Sequence, residues 1–281
     1  MHITKSQAVS VLLTFLLLCA STLGATTVIV IITSHGLVIS TDSKMSTITT
    51  LAGDTSRIGE GTTKKFVLVQ DRIFVASIGH ADIRRGPAHY NFVTWMENLR
   101  ASLPKNISVD DLASTIETES AKVFASFNAV LKAGDLKRSF PTDTCSPFVE
   151  YVIAGYQSGT PTVYVVQFYV DWNENKLVGP RRISIDSSKT MSGDFRVYVF
   201  GFKEALTDIL DPHSYAYKKA KASYPTAFGD LLAHKDVSLG EAVSLARVFV
   251  RIEQNTNPSD VGGDIQMVRI FPSGLATEVS Q

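Results

Sequence analysis

Thr26 has the clearest chemical prospect in this chain, and it owes that prospect to what precedes it. A small-residue segment ending Leu23-Gly24-Ala25 reads as a signal-peptidase-like cut site, and Thr26-Thr27 follows directly. A threonine hydroxyl needs a base to become a nucleophile, and a threonine that begins a chain carries one in its own free α-amine. With a reference pKa of about 7.7 to 8.0, that amine can take the hydroxyl proton near neutral pH and later return it to a leaving group. Cleavage after Ala25 would therefore arm Thr26 against an amide or ester carbonyl. Cleavage after Ala20 or Ser21 would leave it acylated and inert.

The leader has a short start carrying Lys5 and an apolar stretch from Ala8 to Leu18. A membrane-spanning helix needs about 20 apolar residues, so this run is too short to span. The expectation is a cleavable signal peptide over residues 1–25, export to a periplasmic or extracellular location, and one mature domain over residues 26–281 with no integral membrane span.

Several elements must hold such a nucleophile. The β-branched run Thr26 to Ile32, the turn His35-Gly36 and the strand Leu37 to Thr41 predict a hairpin. The polar segment Ser43 to Thr63 reads as an irregular loop. Phe66–Val69 and Ile73–Ile78, joined by Gln70-Asp71-Arg72, predict a second hairpin ending at Gly79. The period then changes to 3.6. Phe92, Val93, Met96, Leu99 and Leu103 share one helical stripe beginning after Pro87, a residue tolerated in a first turn. Ser108 to Asp111 resembles a capping box, and Leu112, Ile116, Val123, Phe124, Phe127 and Leu131 form a second stripe behind it.

Strands return at Phe148 to Gly155, Thr162 to Val170, roughly Arg181 to Ile185 and Phe195 to Phe200. Helices follow at about 203–210, 216–222 and 239–253, the last introduced by the box Ser238 to Glu241, and Ile265 to Phe271 closes as a strand. This order predicts an α+β fold of two antiparallel sheets packed together with helices on their outer faces.

The motifs now fall into an ordered series: Thr26-Thr27, an apolar strand with a turn glycine, Asp42-Ser43-Lys44, Thr63-Lys64-Lys65-Phe66, Gly79-His80-Ala81-Asp82, and Gly262-Gly263 before the last strand. From Thr26 to about Gly274 the chain resembles a proteasome-type β subunit, a member of the N-terminal nucleophile hydrolases. The resemblance implies a four-layer αββα sandwich. Sixteen positions separate Thr26 from Asp42, as in that family.

The resemblance also implies roles. Thr26 would be the nucleophile, Lys65 a fixed positive charge that favours the neutral amine, and Asp42 the ion-pair partner that holds Lys65. The Gly79 N–H would meet the developing oxyanion. Ser259 and Asp260 would support the Thr26 amine. Taken singly, each feature has a plainer reading: Thr26-Thr27 as the start of an edge strand, Asp42 and Lys65 as a surface pair, Gly79 as a strand terminator, Ser259-Asp260 as a turn.

The chain also departs from the family pattern. The turn Val199-Phe200-Gly201-Phe202 has no serine, Ser259 and Asp260 are displaced, and the 23 positions between Asp42 and Lys65 exceed the family spacing. The implied substrate is a peptide or small amide, and the family's rings make a homo-oligomer a further expectation. The reading from another class is a catalytically silent binding or scaffold protein.

Composition narrows the partners. The 281 residues carry 27 basic and 27 acidic side chains, a balance that argues against nucleic acid or an anionic membrane as main partner. The six histidines form no helical pair at metal-ligand spacing, so neither metal nor cofactor is expected. His80 stands beside Gly79 in a loop, where a histidine is ordinarily solvated. Cys145 keeps no partner once Cys19 leaves with the leader.

Overall fold

The computed structural model describes residues 26–45, 49–50, 61–62, 64–139, 147–185, 195–201, 204–210, 213–227, 237–258 and 261–279. The leader, Cys145, Ser259 and Asp260 lie outside the described residues.

The β-branched run at the start becomes β1 (Thr27–Thr33), joined by the turn Ser34-His35 to β2 (Gly36–Asp42). Both strands are buried along their whole length. That explains an apolar run with little alternation: side chains point to both faces of a strand, and here both faces are covered. Three two-residue strands follow, β3 (Lys44–Met45), β4 (Thr49–Thr50) and β5 (Gly61–Thr62), and β3 pairs with β5. Most of the segment expected to be irregular, Ser43 to Thr63, lies outside the described residues, and the described part carries these short strands.

Next come β6 (Phe66–Val69) and β7 (Ile73–Gly79), then a hairpin of β8 (Asp82–Arg85) and β9 (Ala88–Asn91). Pro87 sits in the turn of this hairpin and not in a first helical turn. Helix α1 (Phe92–Ser102) starts five residues later, where the Asn91 side chain accepts the Thr94 N–H at 3.1 Å. Helix α2 (Val109–Val130) is capped by Ser108, which accepts from the Asp111 N–H at 3.0 Å, and a short α3 (Asp135–Ser139) follows.

The second half contributes β10 (Val149–Gln157), β11 (Thr160–Asp171), β12 (Lys176–Ile185) and β13 (Arg196–Gly201). Three helices succeed them, α4 (Glu204–Leu210), α5 (Tyr215–Ser223) and α6 (Leu239–Thr256), before β14 (Ile265–Ile270) and β15 (Ala276–Glu278). Ser238 and Glu241 cap α6 reciprocally: the serine oxygen accepts from the Glu241 N–H, and the Glu241 carboxylate accepts from the Ser238 N–H at 2.8 Å.

The large strands form two five-stranded sheets of order β13-β1-β2-β14-β15 and β12-β11-β10-β7-β6, with antiparallel neighbours. Val28, Val30, Ile32, Leu37 and Ile39 of the first sheet share an apolar cluster with Phe74, Ala76, Ile78 and Val152 of the second. Ile29, Ile31 and Val38, from the other face of the first sheet, cluster with Ala246, Phe249 and Val250 of α6. Val75, Tyr151 and Phe168 of the second sheet cluster with Met96 of α1 and with Ile116 and Phe124 of α2. The chain is therefore an α+β structure of two antiparallel sheets with helices, arranged in a way compatible with a sandwich. Among the described residues, no helix is long and apolar enough to cross a membrane.

Candidate active site

Thr26 immediately precedes β1 and is only 6% exposed. It continues the alternation of Val28, Val30 and Ile32, the positions that face the second sheet. Because β1 and β2 pair with Val28 opposite Thr41, the end of β2 returns to the start of β1. The carboxylate of Asp42, the last residue of β2, accordingly accepts the N–H of Thr27 through Oδ1 at 3.2 Å.

Lys65 arrives from the other sheet. It lies just before β6, its backbone N–H donates to Gln266 Oε1 of β14 at 3.1 Å, and its Nζ donates to Asp42 Oδ2 at 2.8 Å. The ion pair thus joins the end of a strand in one sheet to the start of a strand in the other. Its side chains are 8% and 0% exposed, which excludes the reading of a solvated surface pair.

A third donor reaches Asp42 from the turn after α6. The Gly262 N–H donates to Asp42 Oδ2 at 3.3 Å, while the Gly262 carbonyl accepts the N–H groups of Ser43 and Lys44 at 3.2 and 2.9 Å. Lys44 Nζ donates to the Pro258 carbonyl at 2.6 Å, and Val261 N–H to the Asn257 carbonyl at 2.9 Å. The carboxylate therefore sits among an ammonium and two backbone N–H groups, the inventory an ionised acceptor requires when buried.

Burial sets the proton affinities of this pair. It pushes the Asp42 carboxyl up from its ordinary value, opposed by the Lys65 charge and hydrogen bond and then by the Gly262 and Thr27 N–H groups. Burial likewise pushes the Lys65 ammonium down, Asp42 opposes it, and the nearby Lys44 charge adds a further downward push.

Gly79 ends β7 with φ +84°, and a Cβ there would lie 2.6 Å from the Phe148 carbonyl oxygen. The next residue donates its backbone N–H to that same oxygen at 3.2 Å. His80 corrects the expectation of a solvated loop histidine: it is 8% exposed, its ring lies 4.6 Å from that of Phe148, and burial pushes its pKa down to about 4. Beyond it, Asp82 accepts from Asn91 Nδ2 at 3.1 Å and lies 3.2 Å from His89 Nε2, which fastens the β8–β9 hairpin.

The structure thus brings Asp42 and Lys65 together one residue from Thr26. Ser259 and Asp260 lie outside the described residues, although the residues flanking them, Pro258 and Val261, both border the cluster. Sequence reasoning misses Gly262 and Gln266 as partners of the pair, and Lys44 as the clamp on the Pro258 turn. The Gly262 contact is made by a backbone N–H, and Gln266 becomes a neighbour only through the β2–β14 register, which sets it opposite Thr41. Among the described residues, no group of three or more His, Cys, Asp or Glu side chains could hold a metal ion.

No family model matches the chain, and no curated protein matches it. Among solved structures, the Anbu (Gly-1) mutant from Hyphomicrobium sp. strain MC1 is similar over 91% of this chain and 88% of its own, with 14% identity and a TM-score of 0.43.

Proposed function

We propose that this protein is an exported N-terminal threonine hydrolase of proteasome-like, four-layer αββα fold. It cleaves an amide bond in a peptide or smaller amide through an acyl-enzyme on Thr26. The observation that supports this reading is the buried Asp42 carboxylate held between Lys65 Nζ and the N–H of Thr27.

Once the chain begins at Thr26, its α-amine takes the Oγ proton as Oγ attacks the carbonyl carbon. The Lys65 charge disfavours a second positive charge on the amine and so keeps it a base near neutral pH. Asp42 fixes the otherwise mobile ammonium in place. The Gly79 N–H is the candidate donor to the oxyanion, a contact worth about 3 to 4 kcal/mol in acyl-transfer enzymes. Collapse of the tetrahedral intermediate breaks the C–N bond, and the ammonium of Thr26 protonates the departing amine. Water then releases the acyl group by the same path.

The test combines the mature N-terminus with Thr26→Ala. Intact mass and N-terminal sequencing of the exported protein should give a chain starting at Thr26. Turnover of amide substrates should vanish in Thr26→Ala with the fold retained, and persist in part in Thr26→Ser. A chain starting upstream of Thr26, or activity indifferent to Thr26→Ala, would replace this reading with that of a silent binding or scaffold protein.

A further inference from the structure

Gly201, the last residue of β13, sits opposite Thr27 in the β1–β13 register and has φ +78°. The left-handed backbone alone favours glycine, but the position carries a second restriction. A Cβ built there would overlap the Thr26 carbonyl oxygen outright, lie 3.2 Å from the Thr26 carbonyl carbon, and meet Ile78 Cγ2 at 2.9 Å. Two of these three atoms are backbone and cannot swing aside. Gly201 is itself exposed, so no demand for core packing explains the missing side chain.

The two neighbours come from different sheets. Thr26 leads into β1 of the first sheet, and Ile78 stands one residue before Gly79 at the end of β7 in the second. We propose that Gly201 is a positioning residue for the nucleophile: its bare Cα lets the Thr26 carbonyl and the Ile78 side chain close on the same point, which sets the separation between Thr26 and the Gly79 turn. This inference rests on the hydrolase reading of Thr26. Acyl transfer needs the hydroxyl, the substrate carbonyl and the oxyanion donor in register, and a misplacement of about 1 Å can cost about 100-fold in rate.

The experiment uses the mature chain and a β-lactone probe. Thr26 Oγ attacks the lactone carbonyl, the ring C–O bond opens, the ring oxygen takes a proton, and the adduct carries the full probe mass, so intact-mass kinetics report acylation without a known substrate. Gly201→Ala should acylate about 100-fold more slowly or worse. Gly159→Ala is the control: Gly159 has the same φ of +78° but nothing within 4 Å of its Cβ position. It should lose only the stability that a side chain in the left-handed backbone costs, and keep its acylation rate.

Gly201→Ala acylating within about threefold of the parent chain, or Gly159→Ala slowing as much, would overturn the inference. If Gly201→Ala does not fold, Ile78→Ala takes its place, because it empties the same contact from the other side. It should slow acylation about tenfold, and an unchanged rate would overturn the proposal equally. A parent chain that the lactone does not label at Thr26 would instead remove the hydrolase reading, and this inference with it.

Discussion

Two ion pairs among the described residues have a fully buried carboxylate. Asp42 and Lys65 meet at 2.8 Å beside Thr26, while Asp135 and Arg85 meet at 2.6 Å where α3 packs near the β8–β9 hairpin. Both carboxylates are fully buried, and both accept backbone N–H groups as well, Asp42 from Thr27 and Gly262, Asp135 from Lys132 at 2.8 Å. The difference lies in the cation. A guanidinium keeps its proton at any accessible pH, so Arg85 can tether a hairpin to a helix and nothing more. An ammonium can be tuned, and burial pushes that of Lys65 down. One pair is a strut, and the other is a strut whose charge bears on the residue next door.

The largest effect should come from breaking each pair in turn. Lys65→Ala leaves Asp42 buried without its counter-charge, which should lower stability by about 3 to 5 kcal/mol. It should also slow Thr26 acylation by about 10² to 10⁴-fold. Arg85→Ala should lower stability by a similar amount and leave the acylation rate within about twofold. Urea denaturation and intact-mass labelling check both. The exchange of cations sharpens the contrast: Arg85→Lys should acylate normally, whereas Lys65→Arg should fold and yet lose at least about tenfold in rate, because a planar guanidinium is larger, forks differently and cannot place its charge at the same point. Equal losses of acylation at the two sites would erase the distinction.

The same contrast separates what is legible in the sequence from what is not. Strands β1, β7 and β10 announce themselves because both of their faces are covered and most positions are apolar, and β2 does so through its run Leu37 to Ile39. The β8–β9 hairpin does not, because Ile83 and Tyr90, paired across it, are its only deeply buried apolar residues. The first half of β12 hides behind Gly179-Pro180, a break that an edge strand tolerates because one side of its backbone needs no ladder partner. At the site, the residue types and spacing of Thr26, Asp42 and Lys65 are visible. The N–H of Gly262 and the bare Cα of Gly201 are not, since backbone contacts leave no side-chain signature and depend on register.

His80 provides the next largest effect and places a titration near the site that belongs to neither pair. Its folded pKa of about 4 lies below the ordinary 6.5, so between these values the unfolded chain binds the proton more readily. The sign follows: the stability His80 contributes is fully present above pH 6.5 and is lost as pH falls toward 4. The interval from 6.5 down to about 4 corresponds to about 3 kcal/mol. The difference in denaturation free energy between the parent chain and His80→Phe should therefore shift by about that amount between pH 7 and pH 4. A difference that stays constant over that range would mean that His80 keeps access to a proton in the folded state.

The smallest expected effect probes how far the site depends on the layer behind it. Helix α6 backs β1 and β2 through Ala246, Phe249 and Val250, and the turn at its end presents Gly262 to Asp42. Its first turn lies at the opposite end of the helix, where the Ser238 side chain satisfies the Glu241 N–H. Removing a serine cap costs about 1 kcal/mol, so Ser238→Ala should lower stability by that amount. Fraying is confined to the first turn, because each helical N–H beyond it is bonded within the helix. The Gly262 turn should hold, and the acylation rate should remain that of the parent chain. If Ser238→Ala slows acylation while costing only about 1 kcal/mol, α6 moves as a rigid rod and the Asp42–Lys65 pair is sensitive to its position along the sheet, unlike the Arg85–Asp135 strut.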